Sequence, residues 1–207
     1  MKFKFWRNSR ETSYPEEIKS YLKANKPGEN KRKQFVVFDT ESSSLKISTA
    51  ELLSIGAVKI KDNSISMKET FHYFLQSNDA GSNRNVQIHE ILKNGKDEKK
   101  EVEFALLKFL EYVGNAVLIA HHAKHDVGLI NRYLSEIFPG IRLLNHVIDT
   151  AELAIENDKK RKPDIAIKSE NYSLDALAEK HNIELIERHT ALGDAFTTAL
   201  LFLKIKS

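Results

Sequence analysis

The spacing of apolar positions changes period along the chain and separates an opening run of strands from a later alternation of strands and helices. Phe35-Val-Val-Phe38 is a short apolar run of β-formers ending at Asp39, suited to a strand buried on both faces. Leu52 to Ile60 and Thr70 to Leu75 give two further strands, and Lys61-Asp-Asn-Ser64 supplies hairpin turn chemistry. From Glu101 to Tyr112 the period becomes helical, with Val102, Ala105, Leu106, Phe109 and Leu110 on one face. Ala116 to Ala120 is a short buried strand, Val127 to Leu134 a helix, and Val147-Ile148 another strand. Thr150 to Ile155 opens a helix, whereas Glu156 to Glu170 is polar, lysine-rich and interrupted by Pro163, and reads as a loop. Ser173 caps a helix reaching Lys180, and a final helix runs from Thr190 to Leu203. The predicted architecture is α/β, a mixed sheet with helices on both faces.

Residues 1–33 have a different character. Tyr14 to Leu22 predicts a short helix with Pro15 in its first turn, and Lys26 to Lys33 a charged linker. This segment is expected to be an N-terminal extension of a main domain over 34–207, packed on it or offered to a partner. The chain ends soon after the last helix, which leads to the expectation of a stand-alone protein.

Composition narrows the chemistry. The sequence has no cysteine, which removes disulfides, thiolate zinc sites and cysteine nucleophiles. No apolar run approaches the roughly 20 residues of a membrane span, and no secretory signal is visible at the start. A cytoplasmic protein with no membrane partner is the expectation. The formal charge is +3, a balance that permits a nucleic-acid partner without requiring one.

The chemistry is carried by three stretches. Asp39 and Glu41 flank Thr40 at the end of a buried strand, so both carboxylates point to one side. A lone D-x-E is also what a turn-capping aspartate leaves behind. His121-His-Ala-Lys-His-Asp126 follows another buried strand and brings Asp126 to the same sheet edge, although an acid at a helix start is favourable in its own right. His189-Thr-Ala-Leu-Gly-Asp194 enters the last helix, where Asp194 shares an otherwise apolar stripe. A buried carboxylate there is unfavourable unless paired or bound to a metal. Four such acids suit two Mg²⁺ or Mn²⁺ ions, which favour oxygen ligands, and His189 is placed as the general base for an attacking water.

These motifs, in this order, resemble the DnaQ-like DEDDh 3′-5′ exonucleases, whose type member is the proofreading epsilon subunit of bacterial DNA polymerase III. The resemblance covers Gln34 to Leu203: Phe35–Glu41 for the first motif, Ala120–Asp126 for the second and His189–Asp194 for the third, with Ser54–Val58, Val86–Ile91, Ile148–Thr150 and Tyr172–Leu177 between them. It implies a ribonuclease H-like fold with a five-stranded mixed sheet flanked by helices. Asp39, Glu41 and Asp194 would hold one divalent ion, and Asp39 a second with Asp126 nearby. His189 and Glu41 would take catalytic roles. Thr40, Ser42, Ser43, His89, His122 and His125 are the implied substrate contacts.

Two departures stand out. The family continues D-x-E with Thr-Thr-Gly, where this chain has Ser42-Ser-Ser44, and its second motif reads H-N-x-x-F-D, where this chain has His122 and His125. Either histidine is also open to a supporting or surface role. Lys159 to Lys162 could contact a phosphate backbone, or could simply be a solvated charge run.

The expected activity is release of nucleoside 5′-monophosphates from a single-stranded or frayed DNA 3′ end, with a DNA polymerase as a candidate partner. An RNA 3′ exonuclease, as in relatives that trim small RNAs or oligoribonucleotides, shares every catalytic residue. A non-catalytic nucleic-acid-binding module is the alternative from another class. Oligomeric state stays open.

Overall fold

The computed structural model describes residues 13–26, 34–76 and 99–206. Among these residues one mixed sheet contains β1 (Phe35–Ser42), β2 (Leu52–Lys61), β3 (Ser64–Phe74), β4 (Val117–Ala120) and β5 (Val147–Asp149), ordered β3-β2-β1-β4-β5. β1 is central. It pairs antiparallel with β2 and parallel with β4, and β4 pairs parallel with β5. The carboxyl ends of β1, β4 and β5 therefore lie along one edge, where open α/β sheets characteristically bind their ligands. The helices are α1 (Glu16–Ala24), α2 (Val102–Val113), α3 (Lys124–Ile137), α4 (Thr150–Arg161), α5 (Leu174–Lys180) and α6 (Ala191–Ile205). The arrangement is the expected five-stranded ribonuclease H-like α/β fold.

Alternation along β1 decides which helix meets which residue. Val36 and Phe38 pack with Leu106 and Phe109 of α2 and Leu129 and Ile130 of α3 on one face. Val37 packs with Ala199 and Phe202 of α6 on the other. With a period of two, Thr40 continues the α3 face, whereas Asp39 and Glu41 continue the α6 face. A register shift between Glu41 and Ser42 ends this regularity at the strand's last residues.

The β2–β3 turn uses Asp62 (φ 47°) and Asn63 (φ 61°), two consecutive left-handed residues of the kind a two-residue hairpin prefers. β3 begins at Ser64 directly after this turn, six residues before the expected Thr70. The first part of the expected loop also needs correction: α4 continues to Arg161, so Glu156 to Arg161 is helical. Glu, Lys and Arg are good helix formers, and Lys159, Lys160 and Arg161 suit the negative end of the helix dipole. The helix stops only where Lys162 precedes Pro163, a position that disfavours helical backbone. Asn157 donates to the Ile205 carbonyl (2.7 Å), and Asp158 accepts from Lys180 (2.7 Å) and Tyr172 (3.1 Å), fastening this last stretch to α6 and α5. Lys159 to Arg161 therefore form a helix terminus rather than a loop.

The N-terminal helix α1 is packed on the sheet's α2 side. Ile18 is fully buried, and the Tyr21 hydroxyl donates to Asn145 (2.5 Å) while accepting from the Leu144 N–H (2.7 Å). Among the described residues no helix is long and apolar enough to cross a membrane.

Candidate active site

Asp39 and Glu41 end β1, and Asp194 sits in the first turn of α6. Each of these three offers a carboxylate oxygen, and the three oxygens lie within 4.8 Å of one another. What brings α6 so close is Gly56. It faces Asp39 across β1 and β2, and a Cβ there would overlap the backbone of Ala191 and Leu192. The start of α6 therefore rests directly on the sheet beside Asp39. Thr190 caps the helix, its hydroxyl accepting from the Gly193 N–H (3.0 Å).

Burial and mutual repulsion govern the charges. Burial first, and then the neighbouring Asp126, Asp194 and Glu41, push the Asp39 carboxyl well above the usual carboxylate range. The same causes, burial ahead of Asp194 and Asp126, raise Glu41 to about 7. Asp194 is only 8% exposed, and its Oδ1 is buried without a hydrogen-bond partner among the described residues. An all-oxygen group of clustered acids with an unpartnered buried oxygen fits a hard divalent cation.

Asp126 reaches the same sheet edge from the opposite face. It is buried near the start of α3, and its Oδ1 accepts from both the Thr40 N–H (2.9 Å) and the Thr40 hydroxyl (2.6 Å). Burial raises this carboxyl to about 7 in spite of those two bonds. It is thus within electrostatic reach of Asp39 and Glu41 but outside the three-carboxylate group, because α3 and α6 cover different faces of β1. His189 is also outside that group. It is exposed, with a left-handed backbone (φ 64°), in the loop that leads into α6.

A family model described as "Exonuclease" matches residues 36–202. The chain belongs to this exonuclease family. It is 35% identical over 174 residues to a DNA polymerase III PolC-type of Caldanaerobacter subterraneus subsp. tengcongensis, covering 83% of this chain and 11% of that protein. The curated PolC-type relatives it matches are thus about nine times longer than the matched region, as the 12% coverage of the Staphylococcus haemolyticus protein also shows. Among solved structures, E. coli Exonuclease I in complex with a dT13 oligonucleotide superposes with a TM-score of 0.64 at 12% identity, covering 85% of this chain and 41% of that one. A 3′-exonuclease described with 3′-end-specific recognition of a histone mRNA stem-loop superposes with a TM-score of 0.66 at 12% identity, covering 84% and 81%. At that identity both establish the shared fold.

The positions expected at the substrate of this exonuclease-family chain have protein partners. Ser42 Oγ donates to the Ser44 carbonyl (3.0 Å) and lies 3.1 Å from His125 Nε2. Ser43 Oγ accepts from the Glu51 N–H (2.8 Å), closing the loop after β1. Ser44 does not have positive φ, so serine fits where the family has glycine. His122 is exposed, has φ 54°, and packs its ring edge-on against His121 at 4.5 Å. His89 and the rest of Val86–Ile91 lie outside the described residues.

Two residues had no assigned role in the sequence. Asp149, which ends β5 and caps α4, accepts from the N–H groups of His122 (3.1 Å), Ala123 (2.8 Å) and Ala151 (2.9 Å), fixing the turn that delivers Asp126. Its signal was an aspartate immediately before a helix. Arg188 donates through Nε and Nη2 to the two oxygens of Asp175 (2.6 and 2.8 Å) and through Nη1 to Asp194 Oδ2. Its signal was weaker: one arginine beside His189. His121 is buried, donates or accepts at Nδ1 with the Thr150 hydroxyl (2.8 Å), and is lowered to about 4, chiefly by burial.

Proposed function

We propose that the protein is a divalent-metal-dependent 3′-5′ exonuclease that removes nucleoside 5′-monophosphates from a single-stranded or frayed nucleic-acid end. The observation that carries this reading is the convergence of Asp39, Glu41 and Asp194 within 4.8 Å at the carboxyl end of β1. Family membership sets the reaction class for that cluster.

Asp39, Glu41 and Asp194 would hold Mg²⁺ or Mn²⁺, with Asp39 shared by a second ion and Asp126 nearby. Two such ions supply stabilisation of the attacking and leaving oxygens of a phosphoryl transfer. His189, exposed in the loop before α6, would take a proton from the attacking water. Thr40 holds the Asp126 carboxylate. The Ser42–His125 pair and His122 would meet the terminal nucleotide, with Ser43 closing the loop after β1.

DNA is the favoured polymer because the PolC-type relatives are DNA polymerases, and they suggest a DNA polymerase as macromolecular partner. The test is digestion of matched end-labelled DNA and RNA strands, with and without Mg²⁺ or Mn²⁺, by wild type and Asp39→Ala. Expected are metal-dependent 5′-mononucleotides, faster from DNA, and none from the variant. Undiminished cleavage by Asp39→Ala would end the metal assignment, and faster RNA hydrolysis would reverse the polymer preference.

A further inference from the structure

The three-carboxylate group, with Asp126 behind it, places four acids at one sheet edge. Among the described residues, Arg188 is the cation paired with a member of that group. Its attachment is specific. Asp175, in the first turn of α5, grips Nε and Nη2 in a two-point fork, the geometry in which a guanidinium is best held. That fork leaves Nη1 facing Asp194, and Arg188 is itself only partly exposed. Arg188 is close enough to Asp39 and Glu41 to favour their charged forms as well.

Such a crowd of buried carboxylates needs compensation, from protons or from a cation. A guanidinium already fixed by Asp175 supplies that cation without leaving solvent anew. It also sits on the very carboxylate that would ligate a divalent ion, and the charges of ion and guanidinium repel across it. Taking the cluster as a divalent-cation site, as in the reading above, we propose that Arg188 is a built-in counter-cation that competes with metal for Asp194. In the unloaded site the guanidinium holds Asp194 in place. On loading, Nη1 yields the carboxylate while Asp175 keeps the arginine at the site.

A plain brace between α5 and α6 would have a different signature. Removing a brace lowers stability and leaves metal affinity unchanged or weakened. Removing a competitor strengthens metal binding. The decisive measurement is calorimetric titration of Mn²⁺ into the full chain without nucleic acid, for wild type and Arg188→Gln. Expected is Mn²⁺ binding about tenfold tighter in Arg188→Gln, the lower range of what groups surrounding metal ligands contribute. Thermal melts of the same proteins should show the variant losing more stability in EDTA than in Mn²⁺. Arg188→Lys keeps the charge but cannot fork onto Asp175; it should shift affinity in the same direction by less, and it serves where Arg188→Gln does not fold. Equal or weaker Mn²⁺ affinity in a folded variant would overturn the competition. The affinity ratio is read without substrate, so an inactive wild type that still binds Mn²⁺ more weakly than Arg188→Gln would refute the exonuclease reading and keep this one. An active wild type with an unchanged ratio would do the reverse.

Discussion

Asp39 on β1 lies directly opposite Gly56 on β2, and the missing side chain at Gly56 is what lets the first turn of α6 bring Asp194 alongside Asp39. A methyl group there meets the backbone of Ala191 and Leu192, which cannot rotate away. Gly56→Ala is expected to cost about 1–3 kcal/mol, the usual penalty of overpacking, and to lower activity further by pushing Asp194 off its position. Gly128→Ala is the control. Its added methyl meets the end of the Ile47 side chain, which can move, and alanine favours the helix by up to about 1 kcal/mol over glycine. Chemical denaturation of both variants beside their nuclease rates measures the contrast; equal losses would show that α6 is not positioned this way.

The Thr40–Asp126 contact makes a second expectation. Thr40→Val removes the hydroxyl and keeps the shape, so the Asp126 carboxylate loses one of its two Thr40 donors. A lost bond to the charged form raises its pKa further. Activity near pH 7 should fall about 10- to 100-fold, as for other groups that orient metal-site carboxylates, and recover in part at higher pH. A pH–rate profile with an unmoved acidic limb would argue that Thr40 acts on the substrate instead.

The metal-free protein should lose stability as pH rises from about 6.5 to 8. Asp39, Glu41 and Asp126 hold protons more tightly folded than in the unfolded chain, where carboxyls titrate near ~4. Their stabilising contribution is fully present below that value, and the part from Glu41 and Asp126 is lost as pH climbs through about 7, because the folded state then has protons to give up. His121 and His181, both lowered mainly by burial, act oppositely, but only below the unfolded histidine value of about 6.5. The window above it isolates the acids. Mn²⁺ displaces the same protons, so it should raise the melting temperature more at pH 8 than at pH 6. Melts in EDTA that are flat or rising across this window would contradict the picture.

His189→Ala should reduce turnover about 10²- to 10⁴-fold, the range for a general base, while calorimetric Mn²⁺ affinity stays near that of wild type. A variant turning over like wild type across the pH range would take the proton-transfer role away from His189.

Much of this site was legible in the sequence because its carboxylates disturb regular patterns. Asp39 and Glu41 break off an apolar strand run at Phe38, and Asp194 interrupts a buried helical stripe. Period-two alternation also contained a detail that motif order alone concealed: Thr40, not Asp39 or Glu41, faces α3, so Asp126 arrives behind the strand. The ion pair from Arg188 to Asp175 had no such signature. The partners lie thirteen positions apart, one in a loop and one in a helix, and no periodicity links them. The C-terminal half of α4 was misread for a related reason. Its stability comes from Asp158 and Asn157 reaching α5, Tyr172 and α6, contacts that a charge run does not advertise.

The α1 helix bears on where this protein can be cut. Similarity to the exonuclease family starts at residue 36, yet Tyr21 closes the hydrogen bonds of Leu144 and Asn145 just ahead of β5, and Ile18 fills the space beside α2. A recombinant fragment trimmed to the family boundary would open an apolar hole and strand an asparagine, so expression work should retain everything from Tyr14 onward.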